Sequence, residues 1–165
     1  MTKTQKKIAL KYLPKRLSKR DFKKQFDMLN KSRKFYKKGI YFNRKSVKSY
    51  KSKKSKHIIN AEKTYNLQTI TVNDELAKKT GCSKESLAKI INKGEGAYYS
   101  SGSRPNQTAQ SWGIARLASA ITGSKAAAVD YNILEKGCKP GSKALKLAKD
   151  AKKKYGFGHR RVPKV

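Results

Sequence analysis

A mainly α fold, a small bundle of short helices with a long basic, partly extended N-terminal arm, is predicted by three observations. Apolar residues recur at three- and four-residue spacing in several short windows. Ser or Asn stands before most of these windows and Gly after them, while alternating patterns that would make strands are few. The charge is lopsided: 42 Lys and Arg face 10 Asp and Glu over 165 residues, a formal net charge of +32. Through His57 the balance is 22 against two, Asp21 and Asp27; beyond it, 20 against eight. The chain therefore divides into a basic arm with one amphipathic helix (1–60), a helical globular part (61–155) and a basic C-terminal tail (156–165).

The first seventeen residues are basic with scattered apolar anchors, and Pro14 stops any helix, so an extended tail is expected. Ser18 followed by Asp21 predicts a helix cap, and Phe22, Phe26 and Leu29 give a helical stripe from about Lys19 to Lys37, ended by Gly39. From Ile40 to Asn60, Lys, Ser and aromatic residues alternate with no helical period. That composition predicts a segment that orders only against a partner.

Residues Ala61 to Ile70 are expected to be a short helix or connector. Asn73 then caps a helix over Asp74–Thr80 closed by Gly81, and Ser83 caps a second over Lys84–Lys93 ended by Gly94. The stretch Gly94–Ser103, GEGAYYSSGS, predicts an ordered loop. Pro105 then opens a helix to about Thr122, with Gly123 behind it. Trp112 packs its apolar face, and Gly113 marks a close approach. Ser124 caps a helix through Lys136, and Ser142 caps another through about Lys154.

Cys82 and Cys138 lie far apart in sequence without Cys or His neighbours at metal-ligand spacing, which reads as two reduced, packed thiols. No apolar run approaches the length of a membrane span. The opening MTKTQKKIALKYLPKR lacks the apolar core of a secretory signal, so the expected chain is not secreted.

The pair NDELAKKTGCSKESLAKIINKG spaces Leu76, Ala77, Gly81, Cys82, Leu87 and Ile90 as a helix-turn-helix does, which makes Lys84, Lys89 and Lys93 candidate nucleic-acid contacts. The exposed positions offer Lys, Ser and Glu but not the Arg, Asn or Gln of common bidentate base contacts, so non-specific phosphate binding is the stronger form of that reading. Asp74, Glu75, Glu85, Asp130 and Glu135 sit among lysines at helical pairing distances, and His57 and His159 have no Asp or Cys companion. No dinucleotide or phosphate-loop fingerprint is completed. No enzyme, cofactor, metal or small-molecule substrate is expected.

LPKRLSKRD, the KSVKSYKSKKS arm, ELAKKTGC, GAYYSSGSRPNQTAQSWGIARLASAITG and KAAAVDYNILEKGC together resemble an uncharacterised domain of nucleocytoplasmic large DNA viruses, including viruses of algae and amoebae. The resemblance covers most of the chain and carries no assigned chemistry. It implies a virion setting: a minor capsid protein beneath an icosahedral shell, tying major and other minor capsid proteins together. Phe22, Phe26, Phe35, Tyr36, Tyr41 and Phe42 would insert between neighbours while lysines meet acidic patches, with Tyr98, Tyr99 and Arg104 as a second partner interface. The rival expectation is a DNA-condensing virion protein using the same lysines on phosphates.

Overall fold

The computed structural model describes residues 8–156. The first seven residues lie outside the described range, as does nearly all of the expected basic tail, with His159. Within the described residues the fold is mainly α, as predicted, with eight helices, one 3-10 turn and no strand. Two compact units form, and they do not follow a division at residue 60. One takes in 8–52 together with Gly96–Ala109; the other, Lys53–Glu95 together with 110–156.

In the first unit, α1 (Lys19–Tyr36) begins where Ser18 Oγ accepts the Asp21 N–H at 3.1 Å, the cap its spelling implied. The buried face of α1 is Gln25, Met28, Leu29 and Ser32. The Phe22–Phe26–Leu29 stripe is thus only partly correct: Leu29 is buried, Phe22 is exposed and Phe26 is half-buried. Residues 8–17 are not a free tail. A 3-10 turn, Leu10–Tyr12, folds them back so that Ile8, Tyr12, Leu13 and Leu17 are buried, and Gln25 Nε2 donates to the Tyr12 carbonyl at 3.3 Å.

The arm after α1 also differs from expectation, because it finds its partners inside the chain. Val47 and Tyr50 are buried against Leu17 and Met28. Asn106, at φ 63°, works as a backbone surrogate: its Oδ1 accepts the Val47 N–H at 2.7 Å, and its Nδ2 donates to the carbonyls of Val47 and Tyr50 at 3.1 and 2.6 Å. Ser49 N–H donates to Asp21 at 2.8 Å. A low mean hydropathy conceals such spaced anchors.

The second unit is built from α2 (Lys56–Thr64), α3 (Asp74–Thr80), α4 from Lys84, α5 to Ile121, α6 (Lys125–Val129), α7 (Tyr131–Gly137) and α8 (Lys143–Tyr155). Leu76, Leu87, Ile90, Leu117, Ile121 and Leu134 fill its core. Ala127, Ala144 and Ala148 keep α6, α7 and α8 closely packed. Tyr65 is buried and its hydroxyl donates to the Ile121 carbonyl; burial pushes the phenol pKa well up.

Three helix boundaries move for identifiable reasons. α4 does not stop at Gly94 but runs Lys84–Ser100, so most of the expected glycine-rich loop is helix. Gly94 is there for closeness: a Cβ on it would meet Gly113 Cα at 2.6 Å, and one on Gly113 would meet the Ile91 carbonyl oxygen at 2.6 Å. The close approach expected at Gly113 is therefore present, between α4 and α5. α5 spans Ala109–Ile121 rather than starting at Pro105, because Asn106 is held in a left-handed turn by its bonds to Val47 and Tyr50. The single helix expected from Ser124 to Lys136 breaks at Asp130 into α6 and α7.

That break carries a carboxylate into the interior. Asp130, 1% exposed, accepts from Arg116 Nε and Nη2 at 2.8 and 2.9 Å and from Lys93 Nζ at 2.7 Å. Burial alone would raise its pKa, but the hydrogen bonds and charges of Arg116 and Lys93 outweigh burial and hold it below the usual carboxylate range.

Cys82 and Cys138 are not separate thiols but a disulfide. The sequence distance of 56 residues misled because the turn after α3 and the end of α7 lie side by side. Ser83 N–H donates to the Gly137 carbonyl and Lys139 N–H to the Gly81 carbonyl, both at 2.8 Å, making an antiparallel bridge that the two sulfurs close.

Two outcomes follow. Closing a loop of that length removes unfolded-state freedom worth on the order of 4 kcal/mol, so reductant lowers the thermal midpoint of the wild type. A Cys82→Ser/Cys138→Ser variant starts at the lower midpoint and does not respond to reductant. Asp130→Asn leaves two cations without their carboxylate and costs about 3–5 kcal/mol in denaturant unfolding. A carboxyl whose folded pKa is depressed stabilises fully above its unfolded pKa of about 3.9 and loses that contribution as pH falls through the folded value. Wild-type stability therefore drops below about pH 4 more steeply than that of Asp130→Asn.

Candidate interaction surface

Between Met28 and Asn60 the chain carries twelve Lys and Arg and no Asp or Glu. In the first unit this stretch turns sharply after α1. Ile40 N–H reaches back to the Phe35 carbonyl at 2.9 Å and Gly39 N–H to Tyr36 at 3.0 Å, a helix-end motif that reverses the chain. The reversal lays aromatic side chains against one another. Phe42 meets Phe35 edge-on at 5.9 Å between centroids, and Tyr41 lies 6.2 Å from Tyr36 and 5.0 Å from Tyr99. Lys31 Nζ sits over Phe35 and Phe42 at 5.4 and 4.8 Å.

One residue organises this arrangement. Arg44 Nη1 donates to Ser32 Oγ at 2.9 Å and to the Tyr98 carbonyl at 2.7 Å, and Nη2 donates to Ser103 Oγ at 2.8 Å. Its guanidinium lies 3.7 Å from the Tyr98 ring centroid, and its own N–H donates to the Tyr98 hydroxyl at 3.0 Å. Burial pulls its pKa down, and neutral oxygens and a ring face stand where a carboxylate would be expected. Arg44 thus joins α1, the end of α4, the following loop and its own irregular segment. Arg33 adds a fork onto the Ser101 carbonyl at 2.9 and 2.7 Å.

The expected interface residues separate by exposure. Tyr41 is 66% exposed, Tyr36 38% and Phe22 36%, and Ile40 between them is 49% exposed. Phe26, Phe35, Phe42 and Tyr99 are half-buried and Arg104 is exposed. Tyr98 is a correction: at 1% exposed it is an interior residue, covered by Arg44, and has no face for a partner. Trp112 is half-buried. The sequence reading missed Arg44 and Asn106. The available signal was that Arg44 is the one arginine in the lysine-rich run from Lys34 to Lys56, a place where fork geometry rather than charge is needed.

In the second unit the α3–α4 connection has the expected form: Asn73 Oδ1 accepts the Leu76 N–H at 2.9 Å, and Gly81 takes φ 77°. The candidate nucleic-acid lysines there are already matched with acids. Lys84 pairs with Asp74 at 2.7 Å, Lys89 with Glu85 at 3.8 Å and Lys93 with Asp130 at 2.7 Å. Hydrogen bonds from Lys84, and then its charge, lower the Asp74 pKa. No described helix is long and apolar enough to cross a membrane.

Comparison with known proteins places the chain in a family. Residues 9–155 match the model of a family of unknown function, DUF5824, and the chain belongs to it. No curated protein and no solved structure matches.

Replacing Arg44 tests the organisation of this surface. Arg44→Ala strands several polar groups and costs about 2–4 kcal/mol, while Arg44→Lys keeps the charge, loses the fork and costs about 1–3 kcal/mol in denaturant unfolding. A lysine variant as stable as the wild type would show that charge alone suffices.

Proposed function

We propose, from the premise of a family with no assigned chemistry, that the chain is a non-catalytic structural protein that docks against acidic surfaces through its first unit. The observation that carries this is the exposed cluster Tyr36, Ile40 and Tyr41, set in a stretch with twelve cations and no acid. Aromatic side chains ringed by positive charge combine the anchors and the electrostatic complement of protein interfaces. In the virion setting that the resemblance implies, the chain is a minor capsid protein lying under the shell. Major and other minor capsid chains are its partners there. Because the arm packs within the chain, the surface is offered preformed, and binding does not have to order the segment first.

The charge excess supports a second reading, non-specific nucleic-acid binding, since exposed lysines release counterions from phosphates whatever the sequence. The two readings differ in what Tyr36 and Tyr41 do. On the capsid reading, Tyr36→Ser/Tyr41→Ser abolishes incorporation into genome-free shells and leaves duplex DNA affinity within about twofold, because phosphate contacts need no aromatic anchor. On the second reading the chain stays on DNA after the shell is stripped, with affinity falling steeply as salt rises, and is absent from genome-free shells.

A further inference from the structure

Residues 45–56 read KSV, KSY, KSK and KSK, four copies of Lys-Ser-Xaa in a row, and the docking surface uses none of their serines. Ser46, Ser49 and Ser52 each have one lysine directly before them and another two positions after them. Charged side chains around a hydroxyl are what a kinase reads in choosing its substrate, and lysines on both sides suit a kinase that selects basic sequences. Sequence alone ranks the three equally.

The structure separates them. A kinase must close around the substrate strand and bring the hydroxyl in line with the γ-phosphorus of its nucleotide, so backbone that is already bonded elsewhere must first open at a cost. Ser49 is bonded through both side chain and backbone. Its Oγ accepts the Ser18 N–H at 3.0 Å, its own N–H donates to Asp21 at 2.8 Å, and the Asp21 N–H donates to Ser18 Oγ, which closes a ring onto the start of α1. Hydrogen bonds from Ser49 hold the Asp21 carboxyl below the usual carboxylate range. Ser46 is exposed, but its carbonyl accepts from Lys24 Nζ at 3.1 Å, and the N–H groups of Lys45 and Val47 are taken by Met28 Sδ and Asn106. Ser55, in the fourth copy, caps α2, its Oγ accepting the His57 N–H at 3.2 Å.

Ser52 differs from all three. Lys51, Ser52 and Lys53 are exposed, belong to no helix or turn, and make no hydrogen bond or ion pair among the described residues. The unbonded stretch is short and fixed at both ends: the Tyr50 carbonyl accepts from Asn106 Nδ2 at 2.6 Å, and Lys54 Nζ pairs with Glu62 at 2.7 Å. Of the four hydroxyls, that of Ser52 is the one a modifying enzyme reaches without breaking a bond of the fold.

We propose that Ser52 is a phosphorylation site for a serine kinase that selects basic sequences. The Ser52 oxygen attacks the γ-phosphorus of a nucleoside triphosphate. The Oγ–P bond forms, the bond from that phosphorus to the departing diphosphate breaks, and the hydroxyl proton passes to the catalytic carboxylate of the kinase. The phosphate adds about −1.5 to −2 charges at neutral pH, the first negative charge between Met28 and Asn60. Because nothing in the fold is bonded to Ser52, the modification lowers the local positive charge and leaves the packing intact. A phosphate on Ser49 would instead stand beside the Asp21 carboxylate and open the ring. The site does not depend on the docking surface proposed above.

The test is phosphorylation of the folded, oxidised 165-residue chain by ATP and a purified serine kinase, chosen because it modifies a synthetic peptide of residues 43–58 at Ser46, Ser49 and Ser52 at rates within about threefold of one another. Initial rates at each serine are read by mass spectrometry. In the folded chain Ser52 is expected to be modified at least about tenfold faster than Ser46 or Ser49, and Ser52→Ala to lose most of the incorporation. Ser52→Glu should keep the thermal midpoint within about 1 °C, whereas Ser49→Glu should lower it by about 2–4 °C. Ser52 modified no faster than Ser46 and Ser49 in the folded chain, or a midpoint lowered as much by Ser52→Glu as by Ser49→Glu, overturns the proposal.

Discussion

A chain with four cations for every acid must fold without enough carboxylates to pair them, and the solution taken in each unit governs the rest of the structure. In the second unit one buried carboxylate serves two cations: Asp130 holds Arg116 and Lys93 and breaks a helix to do so. In the first unit no carboxylate is spent on the half-buried Arg44 guanidinium. Arg44 is satisfied by two hydroxyls, a carbonyl and a tyrosine face. Arginine suits this better than lysine because its charge is delocalised and weakly hydrated, so neutral dipoles and a π face can replace its water.

Using neutral groups inside has a consequence outside. With no acid between Met28 and Asn60, nothing on that stretch cancels the field of its lysines, and the reversal after α1 places Tyr36, Ile40 and Tyr41 within it. Positive surface and aromatic anchors coincide because the same chain reversal produces both. In the second unit the acids do cancel the lysines of α4, and uncompensated charge collects instead at the junction of α3 and α8. The two units thus present positive charge in different forms, an aromatic-studded face and an acid-free group of lysines where α3 meets α8.

Much of the helical layout was legible from local signals. Ser18 before Asp21, Asn73 before Leu76 and glycine after α3 act within one turn of backbone, and the structure has each of them in place. What escaped was decided by distant partners. Gly94 has the spelling of a helix end, but Gly113 across the interface makes it a packing residue. Pro105 has the spelling of a helix start, but Asn106 is committed to Val47 and Tyr50. Cys82 and Cys138 carry no local mark of their pairing, and Tyr98 is indistinguishable from Tyr99 until Arg44 is placed above it. Of the surface, the lysines and the exposed aromatics could be read from composition; the residue that holds them together could not.

The basic arm orders on its own chain, through Arg44, Val47 and Asn106, before any partner arrives. Hydrogen exchange of the isolated 165-residue chain at about 0.15 M salt measures this directly. The Arg44, Val47 and Ser49 amides, bonded to Tyr98, Asn106 and Asp21, should exchange far more slowly than an unfolded chain. Exchange of those three at the unfolded rate, while α8 amides remain protected, would contradict the account.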